Sequence, residues 1–214
     1  MWDSISPPWQ ATIELVWEVY CDNCIPIAAI ITDAEGTILA RGRNRIRGKR
    51  TNPYDFRPGN RLAHAEVEAL NNLDYDRVDR HSCILYTSTE PCPMCLGTFY
   101  MSGLRALHYA SRDPYAGSVN LLGKTPYLSV KPIQVSGPCS PILEIIIMAF
   151  YIEKELRDLN GNGRGHVVFE AWRQVVPRSV ALGEKLYQMG TLNQRREAGS
   201  LVREVIDVLA NQVQ

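Results

Sequence analysis

Apolar residues recur at helical spacing in residues 9–20, where Ile13, Val16, Trp17 and Tyr20 share one face. The period then changes. Residues 25–31 are a near-continuous apolar run, so a strand is predicted over 26–32. The turn Asp33-Ala34-Glu35-Gly36 follows, and a second strand over 37–44 completes a hairpin. Residues 45–60 hold Gly48, Pro53, Pro58 and Gly59 and read as a long loop, a kind that is uncommon unless functional or mobile. Helical spacing returns over 62–73, a short strand over 82–88, a helix over 91–101 and a strand over 105–111. Strand and helix therefore alternate, the signature of an α/β sandwich. After a stretch punctuated by Gly and Pro comes a strand at 133–136. Ser140-Pro141 then supplies a cap and first-turn proline for a helix reaching about 159, stopped by Asn160-Gly161-Asn162-Gly163. Residues 166–214 read as helical, broken near Pro177 and Gly190, with Leu201, Val205, Val208 and Leu209 as the apolar stripe of the last helix. No internal repeat or low-complexity segment interrupts this.

The chain has 214 residues, 45% of them hydrophobic, and 23 basic residues balance 23 acidic ones. That supports a sizeable core and excludes disorder as the main description. It also excludes a surface that is basic throughout. The first nine residues show neither a basic leader nor an apolar core segment, so a cytoplasmic location is expected. The longest apolar run, 145–152, is too short to span a membrane, and no membrane partner is expected. Six cysteines, Cys21, Cys24, Cys83, Cys92, Cys95 and Cys139, are scattered through the chain and suit metal ligation plus buried thiols better than disulfides.

Two strings carry chemistry: His64-Ala65-Glu66 and Pro91-Cys92-Pro93-Met94-Cys95. Their pairing is the signature of zinc deaminases. Pro91 suits the first turn of a helix, and Cys92 and Cys95, three apart, would project from one face. A helix N-terminus favours the thiolates that zinc needs. His64 supplies a third ligand and leaves the fourth tetrahedral position to water, as a catalytic site requires. Glu66 is then the proton shuttle. On an ideal helix His64 and Glu66 would splay about 200° apart, so His64 is expected at the cap, where the backbone is not yet helical. The competing reading is a closed all-cysteine site, because Cys21-Asp22-Asn23-Cys24 is a second string of the same spacing. It gives His64 and Glu66 no task.

These motifs resemble the cytidine deaminase superfamily, in particular its nucleobase deaminase and tRNA-adenosine deaminase branch. Similarity covers about the first 160 residues: the hairpin ending in Gly42-Arg43-Asn44, the His64-Ala65-Glu66 string, the run from Thr89 through Cys95 to Gly97, and Ala110-Ser111-Arg112-Asp113. The resemblance implies a three-layer sandwich with a central mixed sheet of about five strands and helices on both faces. Residues 1–160 would form the deaminase domain, and 161–214 a helical extension packed on it. It also implies that Asn44, Ala65 and Asp113 meet the substrate, with Asn44 reaching the base, Ala65 lining its pocket and Asp113 on the rim. As relatives are commonly dimers, it implies a homodimer. Hairpin capping for Asn44 and turn formation for Asp113 are the alternative roles.

The chain departs from compact relatives in its 45–60 loop, where Tyr54 and Phe56 either stack on a base or anchor the loop, and in its helical tail. The tail would be a lid, a dimer contact or added core, with Phe169 and Trp172 packing inward. Residues 41–61 hold eight basic residues (Arg41, Arg43, Arg45, Arg47, Lys49, Arg50, Arg57, Arg61) and one acid, Asp55. If the strand continues, period two puts the first arginines on one face, with Asn44 facing the pocket. They would then read a phosphate, or form a solvated face balanced by Asp74, Asp76 and Asp79. The cysteine string with its flanking Glu90, Leu96 and Gly97 is similar to guanine deaminases. The expected function is a zinc-dependent deaminase releasing ammonia from a free nucleobase, nucleoside or nucleotide of guanine or cytosine type. A tRNA-specific adenosine deaminase and a non-catalytic zinc scaffold are the alternatives.

Overall fold

The computed structural model describes residues 1–49, 58–163 and 166–213. Its first strand, β1 (Ala28–Thr32), is buried at every position. Ala28 and Ile30 enter one hydrophobic cluster and Ala29 and Ile31 another, so both faces of the sheet are covered and an unbroken apolar run is what such a strand needs. Four further strands, β2 (Ile38–Arg43), β3 (Ile84–Thr89), β4 (Ala106–Ser111) and β5 (Gln134–Ser136), complete a sheet of order β2-β1-β3-β4-β5. β1 pairs antiparallel with β2 and β3, while β3, β4 and β5 run parallel. This is the expected mixed five-stranded sheet.

Helices α1 (Pro7–Cys21) and α4 (Pro141–Asp158) cover the face toward Ala28 and Ile30, and α2 (Ala65–Asn71) and α3 (Pro93–Ser102) cover the other. Ser140 caps α4 as expected: its Oγ accepts from the Leu143 N–H at 3.2 Å. α4 carries apolar residues on two sides because it has partners on both. Ile146, Ala149 and Phe150 face the sheet, while Met148, Ile152 and Leu156 meet the tail.

That tail holds four helices, α5 (Val167–Val175), α6 (Pro177–Met189), α7 (Thr191–Glu197) and α8 (Val202–Val213). Phe169 and Trp172 of α5 pack inward, as their spacing suggested. The breaks at Pro177 and Gly190 are present, and a further one lies between α7 and α8. The stripe of α8 is corrected: Leu201 and Val208 are exposed, and the buried face is Val202, Val205, Ile206, Leu209, Ala210 and Val213. This face docks on α1 and α4, and the Trp17 indole donates to the Ser200 carbonyl at 3.0 Å. Among the described residues, no helix is long and apolar enough to cross a membrane. Tyr54 and Phe56 lie outside the described residues.

Candidate active site

The two strings meet at the ends of two helices. His64 is the N-cap of α2, with extended backbone (φ −81°, ψ 154°), so it and Glu66 in the first turn reach the same side despite their spacing. The proline reading shifts by two residues: Cys92 is the N-cap of α3 and Pro93, not Pro91, opens its first turn, which also holds Cys95. The N–H at the first helical position lacks a partner in any helix, which is why a proline is tolerated there.

His64 Nδ1 lies 3.7 Å from Cys92 Sγ and 3.4 Å from Cys95 Sγ, and the two sulfurs are 3.6 Å apart. A tetrahedral ion with Zn–S of about 2.3 Å and Zn–N of about 2.0 Å separates its ligands by about 3.8 Å (S to S) and about 3.5 Å (S to N). The donor set and spacing therefore fit zinc, and among the described residues no fourth side chain joins the three. These three residues are the group found able to hold a metal among the described residues. Cys21 and Cys24 do not join them; they end α1 and its turn as half-buried and buried thiols, so the all-cysteine site does not assemble.

A hydrogen bond from Cys95, helped by His64, brings the Cys92 thiol down to about 4. The same contact, with burial, pushes Cys95 up, and the bond to Cys92 raises His64.

Glu66 is buried beside this group, and burial pushes its carboxyl above the usual carboxylate range. Its Oε1 accepts from Thr87 Oγ of β3 at 3.1 Å. Thr87 faces the site because it belongs to the inward set of β3. Glu68, two residues on, grips the hairpin end: it accepts from the Arg43 backbone N–H at 2.8 Å and from Arg45 Nε at 2.7 Å. These two bonds flank Asn44. Asn44 is buried, its N–H donates to the Ile27 carbonyl, and its Oδ1 accepts from the Ile46 N–H at 3.0 Å. Its carbonyl is thus spent on the local turn.

Ala65 is buried, and its backbone carbonyl presses against Gly42 of β2. A Cβ at Gly42 would sit 2.1 Å from that oxygen and 2.2 Å from Ala69 N, so only glycine lets α2 lie on the strand.

The opposite rim follows β4. Asp113 is nearly buried, and its Oδ1 accepts from the Tyr115 and Ala116 N–H groups at 3.0 and 3.1 Å and from the Trp172 indole at 3.3 Å. The turn is stitched to the residues before Cys92. Glu90 accepts from the N–H groups of Asp113 and Val119, and Ser118 donates to the Pro91 carbonyl through both its N–H and its hydroxyl. Burial pushes the Glu90 carboxyl up. Gly117 is required here too, since a Cβ would come within 2.5 Å of the Asp113 carbonyl oxygen. Tyr151 of α4 lies within electrostatic reach of Cys92, Asp113, Glu155 and Arg47, and burial pushes its phenol up.

The arginine cluster is corrected in two respects. β2 ends at Arg43, so strand alternation does not carry on to Arg45 and Arg47. Their acidic partners are also other than Asp74, Asp76 and Asp79. Arg43 pairs with Asp22, Arg45 with Glu68, and Arg47 with Glu155 and Asp158 of α4. Sequence reasoning missed Thr87, Glu68 and Tyr151 and the roles of Glu90 and Trp172. Glycine inside a strand was the signal available for the helix contact at Gly42. The others carry no local signature.

Residues 9–111 match the model of the cytidine and deoxycytidylate deaminase zinc-binding region. The chain is 30% identical over 131 residues to a probable cytosine deaminase of Schizosaccharomyces pombe, covering 61% of this chain and 74% of that one. It is 40% identical over 90 residues to the guanine deaminase of Bacillus subtilis, covering 40% of this chain and only half of that one. A guanine deaminase structure from Nitrosomonas europaea superposes with a TM-score of 0.50 at 26% identity, covering 70% of this chain and 84% of that one. The matched region spans both ligand strings and four of the five strands, and with the 30% identity to a relative covered over 74% of its length it places the chain in the cytidine deaminase superfamily of zinc-binding deaminases.

Proposed function

We propose that this protein is a zinc-dependent hydrolytic deaminase of a free nucleobase, with guanine as the first substrate. The observation that carries the reading is the His64–Cys92–Cys95 group at zinc-ligand spacing with the buried carboxyl of Glu66 beside it. Zinc held by these three residues supplies Lewis acidity that brings a water's pKa down to about 7.

Glu66 then works as the proton carrier. Its carboxylate takes a proton from the attacking water and delivers it to the ring nitrogen next to the carbon under attack. The new C–O bond forms there. A second proton, from the hydroxyl that becomes a carbonyl, passes through Glu66 to the exocyclic amino group; the C–N bond breaks and ammonia leaves. Burial raises the proton affinity of the carboxyl, which suits a group that takes up a proton and hands it on. Thr87 keeps the carboxyl aimed.

Asn44, with its carbonyl committed to a turn, retains amide N–H donors for acceptors on the base. Asp113 offers a carboxylate that suits N–H donors, of which guanine has several. Similarity to guanine deaminases supports the same base. Pairing of Arg43, Arg45 and Arg47 with carboxylates favours a free base over a phosphorylated substrate or RNA, since a phosphate would have to displace those partners.

The test is ammonia release by the zinc-loaded protein from guanine, cytosine, adenine, their nucleosides and monophosphates, and an anticodon-loop RNA. Guanine is expected to react, and Glu66→Gln to lose about 10²–10⁴-fold in rate while retaining zinc. Turnover of the RNA alone would replace this reading with a tRNA-editing one. Full activity of Glu66→Gln would overturn the mechanism.

A further inference from the structure

The helical tail lies beyond residue 111, where the family match ends, yet one of its side chains reaches the site. Trp172 of α5 is fully buried, and its indole N–H donates to Asp113 Oδ1. A buried indole needs an acceptor for its N–H, and here the acceptor is the rim carboxylate rather than a backbone carbonyl. The ring is held on two edges: Phe169 at 5.0 Å and Tyr151 at 5.2 Å between ring centroids, both steeply inclined.

Tyr151 is itself placed by the geometry of α4. Glu144, Tyr151, Glu155 and Asp158 follow at spacings of seven, four and three, so they share one face of the helix. Glu144 at one end of that face holds Arg112, the residue before Asp113, through Nε at 2.6 Å. Glu155 and Asp158 at the other end hold Arg47, in the loop that follows Asn44. The face thus bridges the two loops on either side of the ligand group, with Tyr151 between them and Trp172 behind it.

We propose that Trp172 is a positioning residue: by holding Oδ1 of Asp113 it turns the second carboxylate oxygen toward the base, so that the tail helps set substrate preference. This rests on the reading of the site as one that binds a nucleobase through Asp113. The three donors on Oδ1 come from Tyr115, Ala116 and the indole. The two backbone donors survive any substitution of Trp172. Losing the indole donor should therefore loosen the carboxylate without dismantling the turn.

Trp172→Phe keeps an aromatic ring but removes the donor together with part of the buried ring system, so Phe169→Leu, which loosens the same cluster, serves as its packing control. Its expected effect is a KM for the base about tenfold higher with kcat nearly unchanged, in keeping with loss of one hydrogen bond to a charged group. Asp113→Asn replaces the substrate-facing oxygen itself, so it should raise KM more than Trp172→Phe does, and Trp172→Phe should add little in the Asp113→Asn background because the indole acts through that carboxylate. Phe169→Leu loosens the same aromatic cluster without touching the bond, and should lower Tm while leaving KM alone. A KM unchanged in Trp172→Phe, or raised equally by Phe169→Leu, would overturn the proposal. A second readout does not depend on turnover. The Trp172 indole resonance, assigned by its loss in Trp172→Phe, should shift and exchange faster with solvent in Asp113→Ala. If the wild type acts on another base, the KM comparison is made on that base. If it acts on none, the nucleobase reading fails while the indole resonance still decides the contact, and a resonance indifferent to Asp113→Ala overturns it.

Discussion

At Gly42 a hydrogen atom stands where every other residue carries a carbon, and the backbone of α2 occupies the space. The consequence reaches the chemistry, because the first residues of that helix are the ones that set His64 and Glu66. Gly42→Ala would push Cβ into Ala65 O and Ala69 N, backbone atoms that cannot rotate away. It is expected to cost about 3 kcal/mol or more, above the usual range for one added methyl in a core. Thermal unfolding with metal analysis checks this: Tm and zinc stoichiometry should fall together. A variant that melts like the wild type would show that α2 can lift from β2 without consequence. At the same scale, Glu68 and Glu66 show how position assigns work to like side chains. One is bonded to the hairpin end on both sides of Asn44, and the other is left beside the metal ligands with a raised carboxyl.

Among the elements, α4 does the most varied work, since it covers the sheet, seats the tail and supplies the charged face that clasps Arg47. Lys154 lies fully buried on it and bonds to Asp158, one turn on. Burial, with Arg47 and Arg157 nearby, lowers its ammonium from 10.5 to about 8. Below pH 8 folded and unfolded chains both hold this proton. Between about pH 8 and 10.5 the folded chain has released it and the unfolded chain has not, so the unfolded state binds more protons and stability rises with pH across that window. Other groups titrate there too, so the informative quantity is the difference between wild type and Lys154→Met. That difference in unfolding free energy, from denaturant titrations at successive pH values, should move in favour of the wild type from pH 8 upward. A flat or opposite difference would show that the ion pair with Asp158 outweighs the burial penalty.

For the whole molecule, the tail helices share their core with the sheet domain. Val205, Ile206 and Leu209 of α8 join the cluster of Trp17 and Phe150, and Phe169, Trp172 and Val180 cover Met148, Ile152 and Leu156. Removing everything after residue 159 would strip both clusters and expose an apolar side of α4. Each large side chain so exposed forfeits roughly 1.5–3 kcal/mol, several times over, against a typical domain stability of about 5–15 kcal/mol. The fragment is expected to be insoluble or to lack a cooperative melt, whereas the full chain should unfold in one transition seen alike by far-UV and near-UV circular dichroism. A folded, zinc-loaded fragment ending at residue 159 would show that the tail is dispensable.

Much of this molecule is set by short-range pattern. The period-two and period-3.6 runs, the Ser140 cap and the turn residues place most elements to within a few positions, because backbone geometry acts over only a few residues. The two ligand strings are equally local: a cap histidine and an i, i+3 pair of thiols carry their chemistry in their spacing. What the sequence could not decide is which distant groups meet. Arg47 finds Glu155 across 108 positions, Trp172 finds Asp113 across 59, and Thr87 finds Glu66 across 21. A lone carboxylate or arginine has the same local signature whether it meets water, a phosphate or a partner. Only the packing of helices on the sheet removes the water and selects the partner, and so the neutralisation of the arginines and the reach of the tail into the site belong to the tertiary structure alone.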